Sequence, residues 1–434
     1  MHLENFTIMR QIQRRWKSFV VFATVFGLFF ALYSEDIGPT VFHPKAHSCS
    51  HLVNASLREP SLNSFRDESF EPVMKLFRKR AEGELVPKLE SFRNGTVPSF
   101  LLWANPFYRW YWDAALVHIT QGLCPLPCKV EYDVTKRNMT DAILIALRET
   151  KDKGTVIKSL SPRDPKQPWI GLSFEPPNLA NSVFKTKFWR YNGLFNRTMT
   201  YRSDADIVFQ HGFIASREDA NLLPRTWVIP PITEVRNHSR ELAVAFISNC
   251  KAASKRLTYV AKFQKYARVD VYGKCGTLKC GGSMFAAHRY NSTTNPCLRI
   301  AGEGYMFYFA FENNFCKEYV TEKVYNLMHY PIVPVVRGFA NYSSAFPPNS
   351  YIDANGYSPK ELAERLLYLK DHPQEYLKYL EWKKYYQPST VGGARVLCHL
   401  CTRLYDPDFY KYKVYNDFED WFVEKSHCLA GLDV

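Results

Sequence analysis

The chain has 434 residues, enough for two domains of ordinary size, and is 46% apolar and 23% charged, which excludes a disordered or low-complexity protein. Its formal net charge of +14 raises the question of an anionic partner. The basic residues are scattered, bunching only at the N-terminus and around Lys75 to Arg80, and no nucleic-acid module is present, so a nucleic-acid binder is not expected.

In chain order, Arg10, Arg14, Arg15 and Lys17 precede the apolar run Ser18 to Tyr33, and Glu35 and Asp36 follow it. This polarity predicts a cytosolic tail (1–17) and a single transmembrane anchor (18–33). As a helix the run spans about 24 Å, short for an average bilayer and suited to the thinner membranes of the early secretory pathway. A cleaved signal peptide is the alternative, although no small-x-small cleavage site closes the run. Asn-x-Ser/Thr sequons begin at Asn54, Asn94, Asn138, Asn196, Asn237, Asn291 and Asn341, and all 11 cysteines lie beyond the run, which together predict a lumenal, disulfide-forming body. The odd count leaves at least one thiol free or paired with another chain.

Residues 34–97 are polar and punctuated by proline, and predict a stem. Apolar strands are then expected at Phe100 to Trp103, Ala142 to Leu147 and Trp169 to Phe174, separated by helix-length stretches, giving a first α/β domain over 98–238. A second domain over 239–397 opens on strand Ala243 to Ile247, a helix within Ser254 to Tyr266 and strand Val269 to Gly273. Strand Met306 to Phe311, helix Thr321 to His329 and strand Ile332 to Val336 follow. Ser358-Pro359-Lys360-Glu361 is a capping box opening a helix with Leu362, Leu366 and Leu369 on one face. The fold class predicted is α/β of GT-B type: two Rossmann-like domains facing a cleft, with 398–434 as a C-terminal tail.

Chemistry concentrates in Phe309-Ala310-Phe311-Glu312-Asn313 and Glu318-Tyr319-Val320-Thr321-Glu322-Lys323, a strand end, a polar loop and a helix start. A helix N-terminus offers free N–H groups to a diphosphate, lysine can neutralise it and a carboxylate can hold a ribose diol. The same pattern also fits an ordinary capped helix. FAFENNFCKEYVTEK resembles the signature of the α1,3/1,4-fucosyltransferases, glycosyltransferase family 10, with Glu318 where many members have Asp. That resemblance implies GDP-fucose as donor, with Tyr319, Glu322 and Lys323 on the GDP moiety (Glu322 on the ribose, Lys323 on the phosphates) and Asn313 beside them. Phe246-Ile247-Ser248-Asn249-Cys250 with Lys255-Arg256 is similar to a second family segment and implies that Arg256 clamps the pyrophosphate.

Trp169 to Pro176 is similar to the family strand that ends in Glu-Ser-Pro, whose glutamate is the proposed catalytic base; this assigns the base to Glu175, with Pro176 in place of Ser. Phe195 to Ile207 resembles a further block, within which Asp204 and Asp206 are read as structural or acceptor-side rather than metal ligands. No metal site is identified, which leaves divalent-metal stimulation open. Cys124, Cys128, Cys398 and Cys401 are read as a disulfide framework, and the family pattern implies that each of the first two bonds one of the last two. His118 and His211 read as core or surface residues. The Tyr272-Gly273-Lys274-Cys275-Gly276 segment, Cys316 within the signature and Cys428 resemble the invertebrate and plant members, which implies core α1,3 transfer to the innermost GlcNAc of glycoprotein N-glycans. Lewis-type transfer to antennary N-acetyllactosamine is the alternative, and a catalytically silent glycan-binding Golgi protein is the alternative of another class. The expected location is the Golgi membrane, single-pass type II, with the body in the lumen.

Overall fold

A computed structural model describes residues 71–83, 95–104, 112, 116–147, 163–178, 187–225, 227, 240–281, 295–389 and 392–429. The expected tail and anchor lie outside these residues, as do most of the stem, Cys49 and the sequons at Asn54, Asn94, Asn237 and Asn291. Among the described residues no helix is long and apolar enough to cross a membrane.

The first described element corrects the stem boundary. Helix α1 (Glu71–Ala81) carries Val73, Met74 and Phe77 on one face, and all three are buried in the core of the first sheet. Burying such side chains stabilises by about 1.5–3 kcal/mol each, so this stretch belongs to the folded body. Arg78 fixes it laterally, with Nε and Nη2 donating to Asp219 at 2.7 and 2.8 Å and Nη1 to Glu71 at 2.7 Å.

The first sheet contains β1 (Ser99–Trp103), β2 (Lys129–Glu131), β3 (Ala142–Ala146), β4 (Trp169–Ser173), β5 (Arg197–Thr200) and β6 (Ile207–Val208). Its order is β2-β1-β3-β4-β5-β6 and every pairing is parallel. The inner strands β3 and β4 are buried throughout, which is why they read as continuous apolar runs rather than alternating ones. The antiparallel pair β7 (Phe213–Ser216) and β13 (Tyr386–Ser389) joins residues far apart in sequence, and helix α2 (Arg217–Leu222) follows β7.

The second sheet has the order β12-β11-β10-β8-β9, again all parallel, from β8 (Glu241–Phe246), β9 (Val269–Tyr272), β10 (Tyr305–Phe311), β11 (Val333–Arg337) and β12 (Ile352–Asp353). Helices α3 (Arg256–Phe263), α4 (Pro296–Gly304), α5 (Glu322–Tyr325) and α6 (Pro359–Asp371) accompany it. In α6, Ser358 Oγ accepts from Glu361 N and Glu361 Oε2 from Ser358 N, closing the capping box, and Leu362, Leu366 and Leu369 are fully buried. Two parallel sheets with separate cores match the expected two-sheet α/β architecture.

Two expectations change. The helix expected over Thr321 to His329 is the single turn α5. Leu327, Met328, His329 and Tyr330 beyond it are all buried, so the segment has no solvent face and packing rather than helical periodicity sets its path. The chain also returns to the first domain earlier than residue 398. β13 already pairs with β7, and helix α7 (Gly392–Arg403) places Val396, Leu397 and Leu400 in the first core. Disulfides Cys124–Cys398 and Cys128–Cys401 fasten α7 there, the two α7 cysteines lying three residues apart on one helix face. Helix α8 (Phe418–Phe422) then packs Phe418, Trp421 and Phe422 against Phe188, Tyr191 and Phe195.

Candidate active site

Parallel α/β sheets present ligands to the carboxyl ends of their strands. Both sheets place their polar groups there. β10 ends at Phe311, and the next residue, Glu312, is 2% exposed although it is a carboxylate. Its burial is supported by donors: Thr321 N and Oγ1 to Oε1, both at 2.9 Å, and Lys323 Nζ to Oε2 at 2.9 Å. Lys323 also lies 3.6 Å from Glu322 Oε1. Burial acts against the Lys323 charge, but Glu312 and Glu322 outweigh it and raise the pKa. The cation expected at the phosphates is thus held in place by two carboxylates.

Tyr319 comes from the loop before α5, and its hydroxyl donates to Glu175 Oε2 at 2.8 Å. Glu175 stands two residues beyond the end of β4, so this bond joins the first sheet's strand end to the second sheet's loop. Burial raises the Glu175 pKa, against the Tyr319 hydrogen bond and the charges of His211 and Lys323, which lower it. A half-buried carboxylate that holds its proton more readily than usual suits a proton acceptor. Pro176, which stands where the family strand it resembles has Ser, is buried and leaves Glu175 in contact with Tyr319. Burial and the neighbouring Glu175 carboxylate push the Tyr319 phenol well above its ordinary range, so it serves as a donor.

Arg256 begins α3, and Lys255 before it is held at φ +50°, a left-handed conformation uncommon for lysine. Arg256 is 5% exposed, and its Nη1 donates to Phe311 O at 2.8 Å while its Nε has no hydrogen-bond partner among the described residues. Burial lowers its pKa, with Glu312 opposing. A buried guanidinium nitrogen without a partner leaves donor capacity for an anion. Asn313 is tied by its carbonyl to Ser254 N and by Oδ1 to Asn314 Nδ2. The donor loop is fixed from behind as well: Cys316 bonds Cys428, Lys317 N donates to Ser426 O, and Glu318 at φ +66° accepts from Ser203 N at 2.7 Å.

Two site residues escaped the sequence reading. Glu312 was visible only as part of a motif, because its role depends on Thr321 and Lys323 folding back to it. His211 read as isolated, yet its Nε2 lies 3.2 Å from Phe174 O and its Nδ1 3.5 Å from Glu322 Oε2. His118 by contrast is buried against Trp227, away from these groups.

Asp204 and Asp206 hold structure. Asp204 accepts a fork from Arg202 and a bond from Trp421 Nε1; Asp206 accepts from Thr198 N, Tyr415 OH and Lys413 Nζ. Among the described residues no group of three or more His, Cys, Asp or Glu side chains is arranged to hold a metal ion. The expectation of a glycan at Asn196 is corrected. Asn196 is 6% exposed, its Oδ1 accepts from Trp169 N and Arg163 Nη2, and its Nδ2 donates to Lys413 O at 2.8 Å, so the folded chain has no room or free amide for a glycan. Asn138 and Asn341 are exposed. Among the described residues the remaining cysteines pair as Cys250–Cys275 and Cys280–Cys297.

The "Fucosyltransferase, N-terminal" family pattern matches residues 96–212, and "Glycosyltransferase family 10 (fucosyltransferase) C-term" matches residues 236–421. Alpha-(1,3)-fucosyltransferase C of Drosophila melanogaster is 33% identical over 286 residues, 63% of this chain and 63% of that relative's length. The Homo sapiens 4-galactosyl-N-acetylglucosaminide 3-alpha-L-fucosyltransferase FUT6 is 30% identical over 327 residues, 73% of this chain and 81% of that one. A crystal structure of an α1,3-fucosyltransferase with GDP-fucose aligns at 14% identity and a TM-score of 0.45, over 74% of this chain and 97% of that one. The site, the two family patterns and the sequence relatives define a glycosyltransferase. The chain belongs to glycosyltransferase family 10, the fucosyltransferases.

Proposed function

We propose that this enzyme transfers L-fucose from GDP-β-L-fucose in α1,3 linkage to GlcNAc of glycoprotein N-glycans, at the core GlcNAc. In this reading Arg256 and Lys323 receive the diphosphate, Glu322 the ribose, and Tyr319 and Asn313 line the donor loop. Glu175 takes the proton from the acceptor hydroxyl as that oxygen bonds fucose C1. The bond from C1 to the diphosphate oxygen breaks, its electron pair leaves with GDP, and a single displacement inverts the β donor to an α product. The cations stabilise the charge that develops on the leaving diphosphate.

The observation that carries this reading is the 2.8 Å bond from Tyr319 to Glu175, which brings a half-buried carboxylate of one sheet against the donor loop of the other. The core acceptor rests on the segments that resemble the invertebrate and plant members: Tyr272 to Gly276, whose Cys275 bonds Cys250; Cys316, which bonds Cys428; and the C-x-x-C of Cys398 and Cys401 that precedes Cys428. The Golgi lumen as location, with a single-pass type II anchor at 18–33, rests on the N-terminal charge pattern and on the disulfides, which form in an oxidising compartment.

The test is incubation of the full chain in detergent with GDP-fucose and two acceptors, an N-glycan carrying an unmodified core and free N-acetyllactosamine. Mass spectrometry reads the products. Gain of one fucose on the core GlcNAc is expected; gain on lactosamine alone selects Lewis-type transfer, and no gain on either, with GDP still bound, selects a glycan-binding protein.

A further inference from the structure

His211 is contributed by the loop after β6 in the first sheet, and it touches both halves of the site. Its Nε2 is 3.2 Å from the carbonyl of Phe174, the residue before Glu175. Its Nδ1 is 3.5 Å from Glu322 Oε2 in α5. Both partners are acceptors, so the ring donates to one of them as a neutral imidazole and to both only when both nitrogens carry a proton; in either case it stands between them. The ring also meets Tyr319 edge-to-face at 6.3 Å, and Tyr319 is the donor to Glu175. Only about a tenth of His211 is exposed, so its rotamer is set by these neighbours.

A second feature fixes this bridge. Gly212 follows His211, and a Cβ added there would fall 2.3 Å from the ring of Tyr325, three residues after Glu322 and one turn along α5. The first sheet's loop therefore lies against α5 at backbone distance, with Glu322 and Tyr325 on the facing side. Glycine is required at 212 for that approach.

We propose that His211 is a positioning residue for the donor, setting the orientation of the Glu322 carboxylate relative to the strand end that carries Glu175. It acts through Glu322, so the inference rests on the reading of Glu322 as a donor ligand. It adds that donor binding depends on a first-domain side chain as well as on the second-domain loop.

The experiment uses the full chain in detergent and the variants His211→Phe, His211→Gln and Gly212→Ala, with GDP as the calorimetric probe and GDP-fucose as the kinetic one. His211→Phe keeps the ring volume and removes both nitrogens. It is expected to weaken GDP and raise the GDP-fucose KM about tenfold, the loss of one contact to a charged group, while the acceptor KM stays within about twofold. His211→Gln retains one polar contact and recovers part of the loss. Gly212→Ala, which leaves the imidazole in place but pushes on Tyr325, shifts the same parameter in the same direction. In a cycle with Glu322→Gln, the two losses of GDP affinity overlap rather than multiply. Unchanged GDP affinity in folded His211→Phe, or losses that multiply fully with Glu322→Gln, overturns the proposal. Because GDP binding is read directly, a wild-type chain that binds GDP but transfers no fucose would refute the function while leaving the cycle to decide on His211.

Discussion

Replacing Glu175 by glutamine separates its chemical role from its structural one. Glutamine has nearly the same volume, and its side-chain oxygen still accepts the Tyr319 hydroxyl that now lies 2.8 Å from Glu175 Oε2. What is lost is the ability to take a proton. General-base catalysis is worth about 10²–10⁴-fold, so kcat should fall by that factor while the GDP-fucose KM moves little. Stability should move the other way. The folded chain raises the Glu175 pKa through burial, so it binds that proton more tightly than the unfolded chain. The contribution to stability is full below the ordinary carboxylate pKa and is lost as the pH rises through the folded value. Glu175→Gln has no such loss, so it should melt at a higher temperature than the parent chain at neutral pH, and the gap should close in acid. The assays are initial rates against donor concentration and thermal unfolding across pH. A drop in kcat of less than about tenfold, or a variant less stable than the parent at pH 7, would refute the reasoning.

Tyr319→Phe removes the hydrogen bond that holds the Glu175 pKa down, so the acidic limb of the kcat/KM profile should move to higher pH; an unmoved limb would separate Tyr319 from the base. Asn196→Gln should leave the electrophoretic mass unchanged, because this amide carries no glycan, yet destabilise the chain by about 1–3 kcal/mol by stranding buried partners, read by denaturant unfolding. Asn138→Gln, at an exposed sequon, should lower the mass of the full chain made in a secretory-pathway host by one glycan without that cost. Phe418→Ala should cost about 3–5 kcal/mol, since the ring is fully buried among Phe188, Phe195, Trp421 and Phe422.

The parallel strands were legible because burial on both faces makes them continuous apolar runs; Ala142–Ala146 and Trp169–Ser173 differ from the expected spans by one residue each. The helix of Leu362, Leu366 and Leu369 was legible because its capping box and periodicity agree. Helix α1 was hidden by its setting: Val73, Met74 and Phe77 form a short apolar stripe inside a polar stretch, and nothing local says that Trp227 and Asp219 lie opposite. The residues of the donor loop were legible as a motif, and their connections were not. That Lys323 pairs with Glu312, that Tyr319 reaches Glu175 across 144 residues, and that His211 lies between Phe174 and Glu322 are products of the two sheets meeting. The sequon at Asn196 reads as a surface signal because its tripeptide carries no record of burial; only the folded return of Lys413 to its amide decides the matter.

The central claim is that Glu175 accepts a proton while fucose leaves GDP bound on the second sheet's loop, in one displacement. The most direct test is proton NMR of the product formed by the full chain from GDP-β-L-fucose and an N-glycan acceptor, with Glu175→Gln in parallel. The account predicts an α-L-fucoside on GlcNAc O3 from the parent chain and no comparable product from the variant. A β-linked product, or equal rates from the two proteins, would contradict it.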